Sequence, residues 1–149
     1  MDYTYVATVL VRGDGAILVQ HRDNKPSIPE PDKWGICGGR RESEDPTDAF
    51  AASRELLEET GYEANPEELT QFAEDEFNAG GDHITRKFYW APYDGKQDIK
   101  CFEGQEIRFA RLSELPALDF CEDYHRDYLR QASEEFCIQQ FEGNKQFIK

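Results

Sequence analysis

Positive charge is scarce in this chain. Its 149 residues contain 17 Lys and Arg against 31 Asp and Glu, which gives a formal net charge of −14. This excess of negative charge repels the phosphate backbone of DNA and RNA, so we expect no long nucleic acid as a partner. Carboxylate oxygens are good ligands for hard divalent cations, so an acidic protein that handles a phosphate compound is expected to need a metal ion.

Long apolar runs are absent as well, and cysteines are few. No stretch approaches the roughly 18 consecutive apolar residues that span a bilayer, so no membrane association is expected. The four cysteines, Cys37, Cys101, Cys121 and Cys137, form no C-x-x-C pair and have no histidine at zinc-ligand spacing. This pattern favours reduced thiols. The first residues also lack the features of a secretory signal, so we predict a cytoplasmic protein.

The first half of the chain alternates between strand and loop patterns before one clear helix. Residues 3–11 are rich in β-branched and aromatic side chains, a glycine-containing break follows at 13–15, and 16–20 are apolar again. This predicts a β-hairpin. Three prolines within 23–33 predict an ordered loop. Strong helix formers from Pro46 onward predict a helix that ends at Gly61.

The second half contains further strands and a C-terminal helix. Residues 83–93 and 107–111 have strand patterns, whereas 67–77 fits no single element. Apolar and aromatic residues recur every four positions and predict a helix: Tyr124, Tyr128, Ala132 and Phe136. We interpret 138–149 as a C-terminal tail and the whole chain, residues 1–149, as a single domain.

Three glutamates crowd one end of the first predicted helix. Glu55, Glu58 and Glu59 lie within little more than one turn, and like charges at this spacing destabilise an isolated helix by a few tenths of a kcal/mol each. A cation should therefore compensate. Arg54 can neutralise one carboxylate. Glu55 and Glu59 lie four residues apart on one face, which suits a hard divalent cation.

A glycine pair before this helix completes a longer pattern. Gly38 and Gly39 leave backbone carbonyl groups uncovered, so one of them could complete the oxygen shell of a metal ion. Five residues separate Gly39 from Asp45, and eight more precede the run RELLEETGY at 54–62. This pattern resembles the Nudix box of the Nudix hydrolase family, which has glutamate in place of Asp45 and seven residues before the arginine. A branch acting on coenzyme A shows a similar lengthened spacing with aspartate, but this chain lacks that branch's upstream motif.

The resemblance implies a fold and an activity. The order of elements over residues 3–136 is similar to the Nudix fold, an α/β (α+β) structure in which mixed and antiparallel sheets are sandwiched between helices. The implied activity is hydrolysis of the diphosphate bond of a nucleoside triphosphate, or of a nucleoside diphosphate linked to another group. The implied cofactor is Mg²⁺, for which Mn²⁺ would substitute.

The resemblance also assigns roles to residues. The metal ligands would be the Gly38 carbonyl and three carboxylates, with a fourth in a supporting or ligating role: Glu55, Glu58 and Glu59, then Asp45. Arg54 would orient the glutamates through charge-assisted hydrogen bonds.

Hydrolysis also needs a carboxylate that takes a proton from the attacking water. Glu58 is one candidate, and a loop acid is the other. The peptide at 102–106 resembles the loop that supplies such an acid in the nucleotide-sanitising branch of the family. Within it we favour Glu103 over Glu106 as the catalytic carboxylate.

Three residues are candidates for substrate binding, each with a competing structural interpretation. Arg22 stands where the sanitising branch places a substrate-binding arginine, but it is equally a surface arginine. Arg40 could contact phosphates or simply offset the nearby glutamates. Trp34 could stack on a nucleobase or cover the core. The identity of the nucleotide stays open, as does assembly into a homodimer.

A second class of function is compatible with the same fold. A Nudix-fold module that has lost turnover would bind nucleotides as a sensor or interaction domain. The complete set of acids at 55, 58 and 59 favours the hydrolase, whereas the irregular segment around Asp45 keeps the binding module as the alternative.

Convergent carboxylates predict a response to divalent cations. Millimolar Mg²⁺ or Mn²⁺ should raise the thermal midpoint of unfolding, because a ligand that binds only the folded state stabilises it by about 1.4 kcal/mol at ten times its Kd. Differential scanning fluorimetry with and without the ions measures the shift. An unchanged midpoint with either ion would contradict the predicted metal site.

Overall fold

The computed structural model describes residues 1–147, and its elements follow the predicted alternation closely. The strands are β1 (Asp2–Val11), β2 (Ile17–His21), β3 (Trp34–Gly35), β4 (Gly38–Arg40), β5 (Thr70–Ala79), β6 (Asp82–Pro92) and β7 (Glu106–Ala110). The α-helices are α1 (Asp48–Thr60) and α2 (Tyr124–Phe147). Short 3₁₀ turns lie at Pro66–Glu68 and Leu112–Ala117. None of the helices in this described part is long and apolar enough to cross a membrane.

A parallel pair of long strands forms the centre of the sheet. Strands β1 and β6 pair in parallel from Asp2 opposite His83 to Val11 opposite Pro92. The main path of the sheet has the order β3-β2-β1-β6-β5, and the other pairings are antiparallel. Strand β4 also pairs with β1, and β7 pairs with β2. The predicted mixed sheet of a Nudix fold is therefore confirmed.

The two helices cover opposite faces of this sheet. Side chains alternate along a strand, so neighbouring residues of β1 point to different faces. Val6 and Leu10 belong to the apolar clusters that include Leu56 and other buried residues of α1. Val9 belongs to the cluster that includes Leu129 and other buried residues of α2. Because each face buries its own helix, the fold is a three-layered sandwich.

Helix α1 begins two residues later than its composition predicted. The chain enters the helix at Asp48, because the Thr47 side chain accepts a hydrogen bond from the Phe50 N–H at 3.0 Å and caps the first turn. The predicted end is confirmed. Gly61 has a φ of 77°, and its N–H donates to the Leu57 carbonyl at 2.8 Å.

Helix α2 continues through most of the segment interpreted as a C-terminal tail. It runs from Tyr124 to Phe147, so residues 138–147 extend the helix, and 148–149 lie outside the described residues. Ile138 and Phe141 are exposed on this extension. The apolar repeat that predicted the helix ended at Phe136 because only the preceding turns pack on the sheet.

The two parts of α2 should differ in their contribution to stability. Leu129 is fully buried and Ile138 is 58% exposed. We expect Leu129→Ala to lower the free energy of unfolding by about 2 to 5 kcal/mol, because it removes buried methyl groups and leaves a cavity. Ile138→Ala should change it by less than about 0.5 kcal/mol. Urea denaturation of both variants measures the difference, and equal losses would contradict this description of the core.

Candidate active site

The glycine pair brings the backbone of β4 against both β1 and α1. A Cβ atom on Gly38 would lie 2.4 Å from the Val6 carbonyl oxygen, and one on Gly39 would lie 2.4 Å from the carboxylate carbon of Glu55. At Gly38 a side chain would collide with the backbone of β1, whereas at Gly39 it would displace the Glu55 carboxylate. Glycine at position 39 therefore lets the Glu55 carboxylate lie directly against the backbone of β4.

Arg54 is the centre of a hydrogen-bond network among the acids of this site. Its Nε and Nη2 donate to the two Asp45 carboxylate oxygens at 2.8 Å each. Its Nη1 donates to Glu55 and to Glu58 at 3.1 Å each. The arrangement confirms that a cation offsets the crowded charges, and it places a single guanidinium among three carboxylates.

Asp45 is the most enclosed of the three carboxylates that Arg54 bonds. It is 4% exposed, and besides the two bonds from Arg54 its Oδ2 accepts from the Glu42 N–H at 2.8 Å. The hydrogen bonds from Arg54 hold the pKa of Asp45 below its ordinary value. Both oxygens are thus engaged with protein donors, which favours a supporting role for Asp45 over a ligating one.

Glu59 is buried beside a second carboxyl group. It is 3% exposed, and the Glu103 carboxyl group and the Cys37 thiol lie close enough to influence its ionisation. Its Oε2 is buried without a partner in the described part of the chain. Burial, together with the neighbouring Glu103, raises the pKa of Glu59 to about 10. Glu59 is therefore a buried acid that lies next to an exposed one, Glu103.

The loop that carries Glu103 is attached to both α1 and β2. The Phe102 N–H donates to the Glu59 carbonyl at 2.9 Å, and Gln20 Nε2 donates to the Glu103 carbonyl at 3.0 Å. Gly104 has a φ of 94°, and a Cβ there would lie 2.5 Å from the His21 carbonyl oxygen. This close approach requires glycine and sets the Glu103 carboxylate beside Glu59.

The other loop acid lies in a different environment. Glu106 is the first residue of β7 and forms an ion pair with Arg108 at 3.3 Å, with about half of its side chain exposed. Of the two loop acids, Glu103 is the one that joins the acids of α1.

The acids fit a divalent cation by donor type, although they are not grouped as a closed ligand set. Within residues 1–147, no three His, Cys, Asp or Glu side chains lie close enough together to hold a metal ion as they stand. Glu58 is 56% exposed and paired with Arg54. However, the unpartnered Glu59 Oε2 and the Glu55 carboxylate against Gly39 offer the oxygen ligands that a hard cation prefers.

A cavity of about 250 Å³, which we call the large cavity only by contrast with the small one that it adjoins, is bordered by strands β1, β2 and β6 and the start of α2. Aromatic, apolar and charged side chains line it: Tyr3, Tyr5, Gln20, Arg22, Ile36, Phe77, Ile84, Arg86, Glu122, Tyr124 and His125. A smaller cavity of about 60 Å³ shares Gln20 and Arg22 with it and is also lined by Glu103 and Gly104. Gln20 and Arg22 therefore stand between the large cavity and the acids.

Arg22 is placed where a substrate contact is possible, but its guanidinium already has protein partners. It lines both cavities. Its Nη2 donates to the Pro29 carbonyl at 2.8 Å, and its Nε contacts the Glu30 carbonyl at 3.2 Å. These bonds attach the proline-rich loop to the end of β2.

Trp34 and Arg40 lie outside the large cavity. The indole of Trp34 stacks on His21 at 4.6 Å between ring centroids, which matches its structural interpretation as cover for the core. Arg40 is exposed and lies over the Tyr3 ring at 4.2 Å. The structure therefore brings only Arg22, of the three substrate-binding candidates, to the cavity wall.

Sequence reasoning missed the far wall of the cavity. Asp75 holds Arg86 by two hydrogen bonds, and the guanidinium lies over the Tyr124 ring at 4.1 Å. His125 is 7% exposed, and its Nδ1 is buried without a partner in the described residues. The four-residue repeat marked Tyr124 only as a core position. An arginine in the middle of a strand was the one available signal.

A comparison with known families agrees with the fold, the glycine pair and the acid-bearing helix. A NUDIX domain model matches residues 2–132, so the chain belongs to the NUDIX family. Membership implies pyrophosphohydrolase activity on nucleoside diphosphate derivatives, and hydrolases of this family generally use a divalent metal ion.

Solved structures share the fold at low identity. A MutT NUDIX hydrolase from Burkholderia pseudomallei is 24% identical, with 88% of this chain and 98% of that chain covered and a TM-score of 0.71. The NUDIX domain of Shewanella oneidensis NrtR, solved with ADP ribose, is 19% identical over 91% and 89% of the chains, with a TM-score of 0.74. A C. elegans Ap4A hydrolase is 20% identical over 91% and 98%, with a TM-score of 0.70.

The buried His125 predicts a pH-dependent stability. Burial, with smaller contributions from Arg86 and Arg22, lowers the pKa of His125 to about 4 from an ordinary value of 6.5. His125 is therefore protonated below about pH 6.5 in the unfolded chain, but in the folded protein it is protonated only near pH 4. The free energy of unfolding should fall across this window as the pH falls, by at most about 1.4 kcal/mol per pH unit.

His125→Phe is the matched variant, because it keeps an aromatic ring against Tyr124, 4.2 Å away, and removes the titration. Urea denaturation at pH 7, 6 and 5 should show a flatter dependence for the variant. Acids such as Asp45 contribute equally to both proteins. Parallel pH profiles of the two proteins would contradict a neutral buried His125.

Proposed function

We propose that this protein is an Mg²⁺-dependent hydrolase that cleaves the diphosphate bond of a nucleoside triphosphate, or of a nucleoside diphosphate linked to another group, by water attack at phosphorus. The observation that carries this proposal is the acid set of α1, in which buried Glu59 lies beside Glu103 and next to an aromatic-lined cavity. A charged phosphate chain and an apolar nucleoside need these two environments side by side.

In this proposal the metal is held by Glu55, Glu58 and Glu59 together with the Gly38 carbonyl. When bound, Mg²⁺ neutralises the diphosphate oxygens, orients them and lowers the pKa of the attacking water. Arg54 orients the Glu55 and Glu58 carboxylates through its hydrogen bonds. Asp45 in turn holds Arg54 by a bidentate pair.

Glu103 is the carboxylate that we assign to accept the proton of the attacking water. It lies beside Glu59 and lines the small cavity that leads to the nucleoside side. Glu58 is the other candidate, but it is more than half exposed and its carboxylate already accepts a hydrogen bond from Arg54. Mn²⁺ should replace Mg²⁺, because both accept an all-oxygen ligand set.

The large cavity is assigned to the nucleoside part of the substrate. Its volume of about 250 Å³ and its aromatic walls suit a nucleobase. Arg22 lies at the boundary with the acids, which suits a contact with the phosphate chain. Ligands in the names of two structural neighbours, ADP ribose and Ap4A, are nucleotides of this general kind.

A nucleotide-binding module without turnover is the second candidate. Two observations favour it. Arg54 donates hydrogen bonds to Glu55 and Glu58. Within residues 1–147, no three His, Cys, Asp or Glu side chains lie close enough together to hold a metal ion. Binding of a nucleotide without release of products would support it.

A substrate panel tests the hydrolase. Triphosphates, oxidised triphosphates, dinucleotides, nucleotide sugars and coenzyme A are incubated with Mg²⁺, the products are resolved, and rates are ranked by kcat/KM. We expect turnover of at least one compound, lost on chelation of the metal. Binding without turnover across the panel would instead identify the sensor module.

A pair of variants tests the metal-binding helix. Glu59→Gln keeps the shape of the side chain but cannot become a carboxylate ligand, so it should lower kcat by about a hundredfold or more while the protein stays folded. Glu68→Gln, at an exposed position in the turn after the helix, should leave kcat unchanged. Similar kcat values for the two variants would contradict the role of Glu59.

A further inference from the structure

Gln20 is a buried amide between the large cavity and the loop that carries Glu103. It is 5% exposed and lies in β2, one residue before the end of the strand. Its Nε2 donates to the Glu103 carbonyl at 3.0 Å. The same side chain lines both the large and the small cavity. One residue thus touches the space assigned to the nucleoside and the peptide of the assigned general base.

Backbone hydrogen bonds attach the loop at other residues, and Gln20 attaches it at the Glu103 carbonyl. Backbone hydrogen bonds hold the residues on either side, from Phe102 to Glu59 and from Gln105 to the His21 carbonyl at 2.7 Å. At the Glu103 carbonyl, the only other donor in the described part of the chain is the Cys101 thiol at 3.4 Å, which is a weak donor. Rotation of the Glu103 peptide is therefore opposed mainly by Gln20.

The orientation of this peptide decides where the carboxylate of Glu103 points. A base must reach the attacking water within hydrogen-bond distance, and a displacement of about 1 Å can cost about a hundredfold in rate. A nucleoside in the large cavity would pack against Gln20. A nucleoside in the cavity would thereby fix the side-chain amide of Gln20, and this amide in turn fixes the Glu103 peptide.

We propose that Gln20 is a positioning residue, which acts through the Glu103 peptide to keep the catalytic carboxylate beside the acids of α1 when the cavity is filled. This inference rests on the proposed function, because Glu103 must act on the water for its position to matter. A merely structural hydrogen bond from Gln20 would change the stability of the protein and leave the chemistry of the folded fraction intact.

The test compares Gln20→Met with Gln131→Met. Methionine keeps the length of glutamine and removes the amide. Gln131 is a matched control, since its Nε2 also donates to a backbone carbonyl at 3.0 Å, that of Phe72, and it lies on α2, on the face of the sheet opposite to α1. With the best substrate of the panel and saturating Mg²⁺, we expect Gln20→Met to lower kcat by about ten- to a hundredfold, and Gln131→Met to leave it unchanged.

A second readout does not depend on activity. Deuterium uptake of the peptide 100–106 in the free protein should rise in Gln20→Met and stay at the wild-type level in Gln131→Met. This measurement separates the two proposals. If wild-type protein hydrolyses nothing in the panel, the proposed function fails, whereas unchanged uptake in Gln20→Met overturns the anchoring of the loop by Gln20.

A double variant identifies the residue through which Gln20 acts. If Gln20 acts only through Glu103, then Gln20→Met should lower kcat little further in the Glu103→Gln background, so the double variant should resemble Glu103→Gln. Losses that multiply in the double variant, an unchanged kcat in Gln20→Met, or a neutral Glu103→Gln in active protein would each overturn the inference. If Gln20→Met does not fold, Gln20→Asn, which keeps the amide one methylene short, takes its place in all comparisons.

Discussion

The pair formed by Arg54 and Asp45 is the interaction on which the acid-rich end of α1 depends. A helix that places three glutamates within one turn is unfavourable by itself, and the guanidinium reduces this repulsion by bonding two of them. Asp45 uses both of its oxygens to orient that guanidinium. The irregular segment before the helix is therefore joined, through Asp45, to the guanidinium that reduces the repulsion between the glutamates.

This network explains how the shorter acid at position 45 is accommodated. The aspartate is almost completely enclosed, and the Glu42 N–H caps its Oδ2. Its reach is sufficient because Arg54 extends toward it from α1 while Nη2 also contacts the Arg40 carbonyl at 3.3 Å. The departure from the family pattern thus preserves a bidentate arginine pair, and the two sides of the site stay joined.

Features that are local in sequence were predictable, whereas those made by the sheet were not. The acid helix, its end at Gly61 and the glycine pair could be predicted, since their spacing alone specifies them. The start of α1 was missed by two residues because a threonine cap outweighed the proline. The cavity joins Arg22 to Arg86 and His125, and only the parallel pairing of β1 and β6 and the packing of α2 bring such distant positions together.

The bare backbone of Gly38 and Gly39 has a consequence for how this protein can diversify. A side chain at Gly38 would collide with the backbone of β1, and one at Gly39 would displace the Glu55 carboxylate, so changes at the reactive end disturb the acids. The opposite wall is built from separate strands and the first turn of α2, and its side chains border the cavity. Selection for a new compound can therefore act on the cavity while the machinery for bond cleavage is inherited unaltered.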